Sequence, residues 1–119
     1  MNSNLIEATT PSGRSAVNLS KGSVFQGINY IEKIGNICFM GLGYVVPTNL
    51  SSWTNNTIGT IPDGYIPAYY PFAGVTSRNG SWYIVSSSPN GGISIQPMVS
   101  PIPSNNETII IHMAWICKD

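Results

Sequence analysis

Few residues in this chain could carry out chemistry. There is one histidine, His112, and two cysteines, Cys38 and Cys117, far apart and each inside an apolar run. No zinc-type ligand spacing can be assembled from them, so no metal or cofactor is expected. The cysteines read as small buried hydrophobes; whether they pair is a question of distance, which the sequence leaves open. Five acidic residues are present: Glu7, Glu32, Asp63, Glu107 and Asp119. Glycoside hydrolysis needs two carboxylates at a controlled separation. Glu7 lies in a polar leading stretch, Asp119 is terminal and Glu32 neighbours Lys33, which leaves Asp63 and Glu107, both at turns or strand ends. His112, Asp63 and a serine could be drawn as a triad, but no Gly-x-Ser-x-Gly elbow occurs. Gly41-x-Gly43 falls within an apolar strand, where glycine allows close backbone approach rather than phosphate binding. The expectation is a protein that is not an enzyme.

Reversible sugar binding makes different demands, and the composition meets them better. Sugars offer apolar C–H faces to aromatic rings, and hydroxyl edges to amides, carboxylates and guanidinium groups. With 3 Trp and 6 Tyr, and many loop Asn and Ser, the chain is supplied for both. The candidate saccharide contacts are Trp53 with the adjoining Asn55, Asp63 in its turn, Arg78 beside Asn79, Trp82, and His112. Each has a packing alternative. Trp53 could plug the end of a barrel, Arg78 could be a solvated turn residue, and His112 could sit in an interface. Trp82 and Tyr83 point to opposite faces of one strand, so at least one of them packs. Trp115 alternates with Met and Ile and reads as core.

Any such groups must be positioned by β structure. The chain is 8% charged, roughly a third of the usual share, with a formal net charge of zero. That excludes a polyanion-binding face, and hence nucleic acid. At 42% hydrophobic the chain is also unlike a disordered one. No run of 18 apolar residues is present to insert into a membrane, and Met1-Asn2-Ser3-Asn4-Leu5 does not open a signal peptide. Residues 1–13 read as an N-terminal arm or linker and 14–119 as one β domain. Apolar residues come in short period-two bursts between Gly and Pro, predicting strands near 14–19, 22–25, 28–34, 36–46, 57–61, 71–77, 81–87, 93–97 and 107–117. Gly35-Asn36, Pro62-Asp63-Gly64, Asn79-Gly80 and Asn90-Gly91 supply the turns. An antiparallel sandwich or barrel follows.

The two longest strands are apolar on both faces. Cys38, Met40, Leu42, Tyr44 and Val46 alternate with Ile37, Phe39 and Val45, and Ile109, Ile111, Met113, Trp115 and Cys117 alternate with Ile110, His112, Ala114 and Ile116. A sheet with one wet face should alternate apolar with polar. The second face therefore needs a cover, either another copy of the chain or the Tyr-rich segment 65–72.

Tyr30-Ile31-Glu32-Lys33-Ile34-Gly35-Asn36 before an apolar strand, then Trp53-Thr54, then Ile58-Gly59-Thr60-Ile61-Pro62-Asp63-Gly64-Tyr65-Ile66-Pro67 form an ordered pattern. Together with Asn90-Gly91-Gly92-Ile93, it resembles the C-terminal head domains of tail-fibre and baseplate receptor-binding proteins from phages of Gram-positive bacteria. The resemblance runs from about 28 to 117 and departs at Ile66, where an arginine is frequent in the family. It implies a compact jelly-roll-like β-barrel assembled as a homotrimer at the virion tail tip, made in the host cytoplasm and acting outside the target cell. The partners it implies are a host cell-wall saccharide, bound without cleavage, and other tail or baseplate proteins through the N-terminal side. The alternatives are a purely structural trimerising tail or baseplate module, and a secreted bacterial lectin-like carbohydrate-binding module.

Overall fold

The structure, a computed structural model, describes residues 12–118. The described residues form nine strands and no helix: β1 (Ser12–Ser15), β2 (Asn18–Leu19), β3 (Ser23–Ile34), β4 (Ile37–Val45), β5 (Asn56–Thr60), β6 (Phe72–Thr76), β7 (Trp82–Ser87), β8 (Gly92–Pro97) and β9 (Thr108–Ile116). They build two antiparallel sheets, a four-stranded one in the order β1-β3-β4-β9 and a five-stranded one in the order β2-β5-β8-β7-β6. The arm expected over residues 1–13 lies outside the described residues up to residue 11, and its last two residues already belong to β1.

Two stretches depart from the expected strands for reasons that act at a distance. Residues 14–19 are not one strand. The chain leaves the first sheet after Ser15 and enters the second at Asn18, and Val17 is buried at the crossing. The Asn29 side chain holds that crossing, accepting from the Val17 N–H and donating to the Val17 carbonyl, both at 2.9 Å. Conversely, the segments 22–25 and 28–34 join into one bulged strand. Gln26 and Gly27 take φ of 56° and 68°, and four residues from Phe25 to Ile28 stand opposite the single Gly43. The turns follow local chemistry. Gly35 (φ 62°) closes a two-residue hairpin in which Ile34 pairs with Ile37, and Gly64 (φ 90°) completes the 62–65 turn, with Tyr65 N–H donating to the Pro62 carbonyl at 3.2 Å.

The core lies between the sheets. Met40, Leu42 and Tyr44 of β4, with Ile109, Ile111, Met113 and Trp115 of β9, meet Ile58, Tyr83, Val85, Ile93 and Ile95 from the five-stranded sheet. Trp115 is core, as its alternation implies, and its indole N–H donates to the Tyr65 carbonyl at 2.7 Å. Ile66, where the resemblance leads one to expect arginine, packs its aliphatic side chain against this core. Where the sheets approach at one side, backbone bonds tie them together. Arg78 N–H donates to the Thr108 carbonyl at 3.0 Å and Ala68 N–H to the Ile116 carbonyl at 2.8 Å, but β6 and β9 do not form a ladder and the barrel is not closed.

The Tyr-rich segment does not cover the outer face of the four-stranded sheet. Pro67 bridges to Cys117, Lys118 N–H donates to the Ile66 carbonyl, and Tyr65 packs on the core, so the segment runs along the edge of β9. Ile34, Ile37, Phe39, Ile110 and Ile116 consequently remain between 41% and 59% exposed. His112 and Ala114 share that face, with Tyr30 lying across Gly41, and the Arg14–Glu32 ion pair (2.9 Å) bounds it on the β1 side.

Candidate functional site

A well-defined hollow lies on the outer face of the five-stranded sheet. It is an open cavity of ≈ 510 Å³, within the range of ligand sites. Strand alternation decides its lining. In β7, Tyr83 and Val85 point to the core, so Trp82, Ile84 and Ser86 face outward; in β8, Ile93 and Ile95 are buried, so Ser94 and Gln96 face outward. Register then aligns these residues across strands. Thr57 of β5 pairs with Ser94 of β8, Ser94 with Ser86 of β7, and Ser86 with Phe72 of β6, giving one straight row across four strands. The Thr57 and Ser94 hydroxyls lie 3.4 Å apart along it.

A second row runs beside the first, with Gln96 paired to Ile84 and Ile84 to Gly74. Gly74 has no side chain because the Trp82 indole lies over it, 2.9 Å from where a Cβ would stand. Asn55 closes the β5 side of the hollow, and Tyr70 closes the β6 side next to Phe72. Tyr70 is 71% exposed and Phe72 74%, a costly placement for two large rings unless something covers them. The Asn56 side chain shapes the loop before β5, donating to the carbonyls of Ser51, Thr54 and Ile95 and accepting from Ser51 N–H. Among the described residues, no carboxylate, histidine or cationic side chain lines the hollow. Its chemistry is that of hydroxyls, amides and aromatic faces.

The six residues singled out from the sequence are not brought together. Asn55 lines the hollow, and Trp82 stands on the same outer face. Trp53 is 58% exposed on the adjoining loop, at φ 66°, its N–H donating to the Pro97 carbonyl at 2.8 Å; it does not plug a barrel end. The other three lie elsewhere. Asp63 borders a small hollow of ≈ 250 Å³ with Ile66 and Lys118. Arg78 borders one of ≈ 390 Å³ at the β6–β9 seam with Phe25, Thr76 and Ile110. His112 lies in a shallow depression with Tyr30 and Phe39 on the opposite sheet. Missed altogether were Thr57, Tyr70, Phe72, Ser86, Ser94 and Gln96. The signal for some of them was present in the outward alternation Trp82-Ile84-Ser86 and Ser94-Gln96, but only strand pairing makes these residues neighbours.

The two acids left as a candidate pair are also apart in role. Glu107 is 2% exposed and holds structure together: it accepts from the Tyr83 hydroxyl at 2.5 Å and from the Asn79 amide at 3.0 Å. Asp63 stays in its surface turn. Burial and the Glu107 carboxylate push the Tyr83 phenol well above the ordinary tyrosine range, and burial does the same for Tyr44, whose hydroxyl donates to the Lys21 carbonyl at 2.9 Å. Among the described residues no group of three or more His, Cys, Asp or Glu could hold a metal ion. No helix among them is long and apolar enough to cross a membrane.

Cys38 and Cys117 form a disulfide, with Cα atoms 6.2 Å apart. Cys38 lies opposite Trp115 in the β4–β9 ladder, which brings Cys117, two residues on, to the same inner face. Both sulfurs are therefore buried, as their apolar surroundings suggested, and bonded as well. In comparison with known proteins, no family model matches the chain and no curated protein matches it either.

Proposed function

We propose that the chain is the receptor-binding head of a phage tail, a jelly-roll-like β module that assembles as a homotrimer and holds a host cell-wall saccharide reversibly. The observation that carries this reading is the hollow on the β5-β8-β7-β6 face. Its hydroxyl and amide floor and its two exposed rings, Tyr70 and Phe72, match the two sides of a sugar, and the described residues that line it include no acid–base pair with which to cleave one. The resemblance of 28–117 to phage head domains supplies the biological setting: a virion tail tip, with further tail or baseplate proteins on the N-terminal side. Assembly is supported by the bare apolar face of β3, β4 and β9. A monomer seldom leaves such a stripe in water, and a rotationally symmetric assembly can bury the same patch on every copy. Shallow sites bind weakly one at a time, and several copies on one tip multiply their effect without new contacts.

The test is retention of the purified chain on isolated cell walls from a panel of Gram-positive bacteria. The reading expects retention on some walls, displacement by soluble wall polysaccharide and no release of reducing sugar. Absence of retention on every wall, with the chain trimeric, would favour the second reading, a structural trimerising module. That second reading draws on the same bare sheet face. Sugar release would turn the reading toward a tail-associated hydrolase.

A further inference from the structure

We infer that the hollow takes a linear, uncharged oligosaccharide lying across the strands and spanning several rings, rather than a single sugar. The inference rests on the saccharide-binding reading above and specifies its ligand. Three features of the hollow lead to it.

The first is length. The row Thr57, Ser94, Ser86, Phe72 crosses four strands, hence three inter-strand steps of about 4.8 Å, or ~14 Å of floor. A single pyranose occupies only part of such a span, and about three linked rings fill it, in keeping with a cavity of ≈ 510 Å³.

The second is a chemical gradient along that length. The β5 and β8 side carries only polar groups, Asn55, Thr57, Ser94 and Gln96, suited to hydroxyl edges. The β6 side carries Tyr70 and Phe72, suited to a ring face. Between them stand Ser86, a small polar side chain, and Ile84, both half-buried on the outward face of β7. One ring cannot satisfy both ends at once, whereas a chain can stack one unit on Phe72 while another reaches Asn55.

The third is charge. Among the described residues no cationic side chain lines the hollow, so a phosphorylated or uronic-acid unit would lose water there without gaining an ion pair from them. The arginine nearest in kind, Arg78, opens into a separate hollow at the β6–β9 seam.

The experiment presents the purified full chain to an array of immobilised neutral and anionic saccharides of one to six units. It includes the parent and two variants at exposed positions, Phe72→Ala and Asn55→Ala. The expected result is retention of neutral chains, rising with length to a plateau near three units. Both variants should bind the same chain roughly tenfold more weakly, because one ligand touches both ends. Single rings bound as tightly as longer chains, anionic glycans preferred, or only one variant weakened would each overturn the spanning ligand while leaving a saccharide site standing. Retention of no glycan at all would remove the saccharide reading itself. The length series uses the parent chain alone, so the result stands even if a variant folds poorly.

Discussion

The Tyr83 hydroxyl donates a 2.5 Å hydrogen bond to Glu107 Oε2 in the interior, joining a strand of one sheet to the lead-in of a strand of the other. Asn79 adds a second donor to the same carboxylate and a bond to the Asn105 carbonyl, at 2.8 Å. A buried carboxylate is tolerated only when such donors surround it, so this cluster pins the 77–81 hairpin to the loop preceding β9. Removing one donor leaves the carboxylate short of a partner, at a cost of about 1–3 kcal/mol. Tyr83→Phe should therefore lower the midpoint of thermal unfolding by roughly 4–12 °C. Tyr83→Phe combined with Glu107→Gln should cost less than the sum of the two single changes, measured by calorimetry. Additive losses would mean that the contact contributes little.

The same tyrosine makes stability depend on alkaline pH. The Tyr44 and Tyr83 phenols are both pushed up, chiefly by burial, so the folded chain keeps their protons at pH values where the unfolded chain, titrating near 10, has lost them. Their contribution is complete below about pH 10 and declines as pH rises above it, by about 1.4 kcal/mol per pH unit for each tyrosine. Urea unfolding at pH 9, 10 and 11 should show the decline, and Tyr83→Phe should remove about half of the slope. A flat profile from pH 9 to 11 would contradict the assignment.

How much of this was legible in the sequence depended on whether the cause was local. Gly35, Gly64 and Asn79-Gly80 mark turns within a few residues, and the period-two runs place the strands of both sheets. The crossing at Val17 was not legible, because the group that holds it, the Asn29 amide, lies twelve residues away. Nor was the joining of β3 through its bulge, which depends on Gly43 on the neighbouring strand leaving room. The candidate site fared similarly. Asn55 was legible because it follows Trp53 by two residues in a polar loop. Phe72, Ser86 and Ser94 look unremarkable one by one, and only cross-strand register sets them in a row.

Gly43 and Gly41 should respond differently to the same change. A methyl group at Gly43 would fall on the Phe25 carbonyl, which is backbone held in the bulge, whereas at Gly41 it would meet the Tyr30 ring, which can swing toward solvent. Gly43→Ala should cost about 1–3 kcal/mol in denaturant unfolding, and Gly41→Ala less. Equal costs would mean that the bulge yields as readily as a side chain does.

The disulfide ties β4 to the end of β9 across 79 residues of sequence. A cross-link of that span restricts the unfolded chain by about 4.5 kcal/mol in the chain-entropy account. Reduction should lower the unfolding free energy by a few kcal/mol while the fold persists, since both sulfurs lie among well-packed residues. Circular dichroism and urea titration with and without reductant will read this. Unchanged stability on reduction would indicate that the cysteines are not bonded in the folded protein.

The bare apolar stripe of Ile34, Ile37, Phe39, Ile110 and Ile116 underlies the proposed assembly, and the mass of the purified chain in solution tests it most directly. Multi-angle light scattering at micromolar concentration should return three times the chain mass, falling toward one when Phe39 is replaced by glutamate. A parent chain that stays monomeric at concentrations well above micromolar would contradict the account.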